Sequence, residues 1–287
     1  MPNAPDATRT IDVHSDGVRL VVRRWEDDGR GALLIHGLAS TSHVWDLVAP
    51  RLARLGVDVV AYDQRGHGRS GKPSSGYGFD HTTADAVAVI RAAGLRRPVV
   101  VGHSWGANVA LELAVREPGL VAGAVLLDGG FASMRDRFDW RTAKRLLSPP
   151  GFGDLTVDAL LAGIPEHTGL ERTPEIEAHI LSIVRVDRRG RVHPRLARVN
   201  HMKILHAMWA QDTDGLLRRV HVPTLILAAR TRSAEPDDFE RSKATAAPRI
   251  RAIAGPITFE WIEGIHDVPL QRPEAVARRI ARFAERA

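Results

Sequence analysis

The stretch Val99–Ala114, VVVGHSWGANVALELA, sets Ser104 between Gly102 and Gly106 where an apolar, β-branched run gives way to a helical pattern. A serine hydroxyl is a weak nucleophile near neutral pH unless it is exposed, held still and placed beside a base. A sharp strand-to-helix turn does the first two, and its tight backbone favours glycine two residues before and two after the serine. The following helix aims its N-terminal amides at the same point, where they favour developing negative charge. The chemistry that fits is attack on a carbonyl carbon.

The pentapeptide GHSWG and the segment LLIHGLASTSHVWDLVAPRLARLGVDVVAYDQRGHGRSGKP, residues 33 to 73, resemble the α/β-hydrolase family, and the resemblance covers nearly the whole chain outside residues 131 to 220. It implies a Ser-Asp-His triad and an oxyanion hole built from the backbone N–H groups of Trp105, after the nucleophile, and Leu38, after the His36-Gly37 pair. Gly37 lets that loop approach the serine. His36 and His103 read as residues that order the backbone, although His36 is also a candidate for substrate contact.

The resemblance places the general base at His266, in IEGIHDVPLQRP after the strand-like PITFEWI. The acid departs from the family's pattern. Where members commonly carry an aspartate just past the strand that here is TLILAA, this chain has Ala229, Arg230, Thr231 and Arg232. Asp128, at the end of AGAVLLDGG, is the favoured acid, because a carboxylate on a strand end is better fixed than one in a long polar loop. Asp237 and Asp238 in SAEPDDFE are the alternative. Asp267 is set aside as orienter because its side chain points away from that of its neighbour.

The segments HGLASTSHVWDLVAP and GHSWGA are also similar to haloalkane dehalogenases and epoxide hydrolases, whose nucleophile is an aspartate. Ser104 argues against both chemistries, since their alkyl-enzyme ester needs a carboxylate. The expectation is therefore a hydrolase of a small hydrophobic ester or lactone acting through an acyl-enzyme. Two alternatives are a non-hydrolytic acyl transferase or cyclase, and a catalytically silent ligand-binding protein on the same fold.

These residues need a scaffold. Strand-like runs at 18–25, 32–36, 57–63, 98–102, 122–128, 223–229 and 256–262 alternate with helical stretches such as VWDLVAPRLARLG and TTADAVAVIRAAG. Near-continuous apolar strands between helices predict an α/β fold with a mostly parallel sheet covered on both faces. Residues 9–25 read as an antiparallel hairpin at its edge. The expected whole is an eight-stranded α/β-hydrolase fold with a core of residues 1–130 and 221–287 and a helical cap inserted at 131–220. Within the cap, VNHMKILHAMW puts Val199, Met202, Leu205 and Trp209 near one helical face. Trp45, Trp140, Met202 and Trp209 join His36 as candidates to touch the substrate.

Composition narrows the classes. The 287 residues contain no cysteine, which removes disulfides and thiolate chemistry. A net charge of +6 comes mainly from scattered arginines, densest at 185–198, with no nucleic-acid motif beside them, so a solvated face is expected and no nucleic-acid partner. No apolar run approaches a membrane span and the N-terminal decapeptide lacks the core of a signal peptide, which gives a cytoplasmic expectation. No metal motif appears, DQRGHGRSGKP lacks Walker spacing, and no cofactor is expected.

Overall fold

The structure, a computed structural model, describes residues 9–26, 28–231, 233 and 237–287. Arg232, and the N-terminal residues 1–8 on which the absence of a leader was read, lie outside them. The apolar runs form strands β1 (Arg9–Ser15), β2 (Val18–Trp25), β3 (Arg30–Ile35), β4 (Val57–Tyr62), β5 (Val99–His103), β6 (Gly123–Leu127), the short pair β7 (Val184–Val186) and β8 (Val192–Pro194), then β9 (Thr224–Arg230) and β10 (Ile257–Glu263). Eight of them make one sheet in the order β1-β2-β4-β3-β5-β6-β9-β10. From β4 to β10 every pairing is parallel, while β1 with β2 and β2 with β4 are antiparallel. The predicted edge hairpin is therefore present.

Alternation along the strands divides the interior into two layers, as a period of two requires. Leu33, Ile35, Val60, Tyr62 and Val100 face one side, where they meet Val109, Leu111 and Leu113 of the helix Trp105–Arg116. Leu34, Val59, Ala61, Val99 and Val101 face the other, packed with Trp45, Leu52 and with Val276 and Ile280 of the helix Pro273–Ala284. Strands buried on both faces read as continuous apolar runs for this reason.

Between β6 and β9 the chain is mostly helical, with the β7–β8 pair among the helices. The helix Arg198–Ala210 corrects the face expected for it. Val199 is 61% exposed, whereas Asn200, His201, Ile204 and Leu205 are buried. The reason is polar: Asn200 Nδ2 donates to Tyr77 Oη at 2.9 Å and the His201 ring bonds the Leu147 carbonyl at 3.3 Å, so two polar residues share the inward stripe. Among the described residues, no helix is long and apolar enough to cross a membrane.

Candidate active site

Ser104 lies between β5 and the helix Trp105–Arg116 with φ of +54° and ψ of −121°, a conformation that costs a non-glycine residue about 1–3 kcal/mol. Its amide donates to the Leu127 carbonyl at 2.9 Å, which ties the turn to β6. The turn is closed by contact between its two glycines: a β-carbon on Gly102 would sit 2.0 Å from the Gly106 carbonyl oxygen. The Leu38 loop passes close by, so that a β-carbon on Gly37 would lie 3.1 Å from Ser104 Cβ.

Two further strand ends deliver the partners. Asp128 follows β6, with its own amide donating to Leu227 of β9 at 2.9 Å, and His266 follows β10. Ser104 Oγ is 3.0 Å from His266 Nε2, and His266 Nδ1 is 2.7 Å from Asp128 Oδ2. With Nδ1 donating to the carboxylate, Nε2 is left to accept the serine proton. The Asp128 carboxylate is wholly buried, and Oδ1 also accepts from the Ala229 amide at 2.8 Å and from Lys243 Nζ at 2.9 Å. The backbone of His266 is anchored too, its carbonyl accepting from His103 Nε2 at 2.9 Å.

Charges in this cluster move in opposite directions. Burial disfavours the imidazolium of His266, but the hydrogen bond and negative charge of Asp128 outweigh it, and the pKa is raised above 6.5. Burial likewise pushes the Asp128 carboxyl up, yet the hydrogen bond and charge of His266 and the Lys243 ammonium prevail and hold it below 3.8. His103 is pushed down to about 4, first by burial and then by His266, so it serves as a neutral tether.

A cavity of about 550 Å³ opens onto Ser104 and His266. Leu38 lines it from the core, and Met134, Phe138, Leu146, Leu147, Leu205 and Met208 from the segment between β6 and β9. Asn108, Arg137 and His201 are polar groups in this wall.

Residues 33–162 match the family described as alpha/beta hydrolase fold. An E-2-(acetamidomethylene)succinate hydrolase superposes with a TM-score of 0.75 at 24% identity, over 96% of this chain and 99% of that one. The chain has the α/β-hydrolase fold. Its sequence is similar to a non-heme haloperoxidase of Rhodococcus erythropolis, 42% identical over 114 residues, a stretch that spans 39% of this chain and only 41% of that relative's length. It is also similar to epoxide hydrolase A of Mycobacterium tuberculosis, 27% identical over 321 aligned positions, covering 94% of this chain and 95% of the relative.

On this α/β-hydrolase fold the structure brings Ser104, His266 and Asp128 together and places Asp237 and Asp238 elsewhere. Asp237 caps the helix Asp238–Arg251, accepting from the Glu240 amide at 2.7 Å, and Asp238 pairs with Arg241. Leu38 and Trp105 flank Ser104, and neither backbone amide donates to another group among the described residues. The Trp105 side chain is buried, stacked on His67 at 5.4 Å.

The substrate-contact candidates are corrected. His36 is fully buried, its Nδ1 donating to the Gly37 carbonyl at 2.7 Å and its Nε2 accepting from the Gln64 amide at 3.0 Å, so it orders the loop. Trp45 is fully buried beneath His103 in the second core layer. Trp140 and Trp209 pack on each other and on His206, and Trp209 Nε1 donates to the Phe138 carbonyl. Met202 lines a separate hollow with Tyr77, Val199 and Lys203. None of these five lines the Ser104 cavity, because each is taken up by the packing, hydrogen bonds or separate hollow just described.

Sequence reasoning missed Lys243, Phe239, Arg137 and His201. For Lys243 a signal existed: it shares one face of its helix with Ala246, Ala247 and Ile250, and a lysine on a buried stripe demands a buried partner.

Proposed function

We propose that this protein is a serine hydrolase that cleaves small, largely hydrophobic esters or lactones through an acyl-enzyme. The observation that carries this reading is the continuous hydrogen-bonded chain from Ser104 Oγ through His266 to Asp128 at the mouth of an apolar cavity.

His266 Nε2 takes the Ser104 proton as Oγ adds to the carbonyl carbon, and Asp128 stabilises the imidazolium that forms. The Leu38 and Trp105 amides receive the oxyanion. Collapse expels the alkoxide, which the imidazolium protonates, and a water activated by the same histidine then releases the acid. A hydroxyl nucleophile suits addition to a carbonyl, whereas epoxide opening through an alkyl-enzyme ester needs a carboxylate at position 104. Apolar walls in a cavity of this size favour a compact ligand over a polypeptide.

Intact-mass spectrometry after exposure to a fluorophosphonate tests the reading. One adduct on the wild type and none on Ser104→Ala is the expected result. Folded wild-type protein that stays unlabelled, and that hydrolyses no member of an ester and lactone panel, overturns it.

A further inference from the structure

Arg137 stands out in the wall of the Ser104 cavity because, among the described residues, no acceptor bonds its guanidinium. Its guanidinium carbon lies 4.9 Å from the Phe138 ring centroid and 5.5 Å from that of Phe239. These rings cover its faces but offer no acceptor to the N–H groups, which point outward in the guanidinium plane. Among the described residues, the side chain makes no hydrogen bond and no ion pair within 4.0 Å. Asp237 and Asp238 are close enough to favour its charged form, yet one is spent capping a helix and the other on Arg241. Burial meanwhile works against the cation and holds its pKa below the ordinary arginine value.

The other charges in the cavity are accounted for. Asp128 is neutralised by His266 and Lys243, and burial keeps His201 below the ordinary histidine value. One partly desolvated guanidinium with no acceptor among the described residues is left in a largely apolar wall. Phe239 links it to the chemistry, since the same ring meets the His266 imidazole edge-on at 5.4 Å. Arg137 and the His266 imidazole, which bonds Ser104, therefore meet the same phenyl ring within one cavity, which places an anion on Arg137 in the same compact space as a carbonyl at Ser104.

Resting on the hydrolase reading above, we propose that Arg137 is a carboxylate subsite and that the substrate class is a short ester or lactone carrying a free carboxylate, such as a half-ester of a dicarboxylic acid. A guanidinium fork matches a carboxylate in shape and binds it through two N–H donors. Arg137 is the one arginine or lysine among the described residues that line the cavity, Lys243 beyond Phe239 being paired with Asp128, and a single unpaired charge suits a monoanion better than a phosphate dianion.

The test compares mono-p-nitrophenyl glutarate with p-nitrophenyl valerate, which share acyl length and differ in the terminal charge. Wild type is expected to prefer the glutarate in kcat/KM, and Arg137→Met to lower that preference about tenfold or more, as loss of a charge-assisted hydrogen bond implies. Arg137→Lys recovers part of it, while Arg135→Met, at an exposed arginine nearby, keeps the wild-type ratio. Calorimetry on Ser104→Ala separates binding from turnover. Monomethyl glutarate is expected to bind more tightly than methyl valerate, with the advantage lost in Ser104→Ala/Arg137→Met and weakened by salt. Equal binding of the two ligands, an advantage that survives Arg137→Met, or a kcat/KM ratio that this substitution leaves unchanged overturns the subsite. Arg137-dependent binding without cleavage of either ester by wild type upholds the subsite and overturns the hydrolase reading instead.

Discussion

Lys243 Nζ lies 2.9 Å from Asp128 Oδ1 and 3.2 Å from Oδ2, so the carboxylate that bonds His266 is shared between an imidazole and a buried ammonium. The lysine also donates to the Ala229 carbonyl at the end of β9. It thereby fixes the aspartate against the neighbouring strand and draws off part of the negative charge that would otherwise raise the basicity of His266.

Lys243→Met keeps the bulk of the side chain and removes the charge. The acid limb of the kcat/KM profile is expected to move to higher pH, because His266 then feels Asp128 without the opposing cation. Stability falls by about 3 kcal/mol, the low end for breaking a buried ion pair, since His266 and the Ala229 amide still serve the carboxylate. A pH-rate profile and a denaturant titration read the two effects separately, and an unmoved limb would refute the coupling.

Asp128→Asn should cut turnover by about 10⁴, the scale seen when a triad histidine loses the carboxylate that fixes its tautomer. Asp237→Asn and Asp238→Asn should leave turnover close to wild type, since both carboxylates are committed to the start of their own helix. Steady-state kinetics on the purified variants decides between them.

The raised pKa of His266 sets opposite trends for activity and stability. The proposed mechanism needs neutral imidazole, so kcat/KM is expected to fall as pH drops through a value above 6.5. Stability from the charged pair is fully present below 6.5, the unfolded value, and is lost as pH rises through the folded one. Asp128 adds stability that is present above 3.8 and lost as pH falls through its depressed folded value. Thermal unfolding across pH, for wild type and His266→Asn, should show a loss of stability above pH 6.5 in the wild type that the variant lacks.

The left-handed backbone at Ser104 predicts a stability gain on removing its side chain altogether. Ser104→Gly should be more stable than Ser104→Ala by about 1 kcal/mol, because alanine keeps the β-carbon that makes a positive φ costly. Both lack the hydroxyl, so thermal melts compare strain alone. Equal melting temperatures would show that the turn is unstrained.

The sheet was legible in the sequence because parallel strands buried on both faces leave uninterrupted apolar runs, and the strand-like stretches from 18–25 to 256–262 all became strands. The turn around Ser104 was legible for a related reason, since steric closure at Gly102 and Gly106 leaves little choice of residue. Pocket residues were not. Trp45, Trp140 and Trp209 are apolar enough to line a cavity, but which apolar surface a tryptophan covers depends on partners far along the chain. The face of Arg198–Ala210 was misjudged because buried Asn200 and His201 look polar until Tyr77 and the Leu147 carbonyl are seen to satisfy them. Arg137 reads as a surface arginine among many, and only the absence, among the described residues, of an acceptor for its guanidinium sets it apart.

The segment between β6 and β9 divides the site by order of synthesis. Ser104, the Leu38 loop and Asp128 precede it, whereas Lys243 and His266 follow it. The stretch that follows it supplies, among the described residues, every group that bonds the Asp128 carboxylate: the Ala229 amide, Lys243 and His266. The hydrogen-bonded chain from Ser104 to Asp128 therefore closes only when the stretch after that segment pairs back onto β6, so that the site depends on the two parts of the sheet having joined.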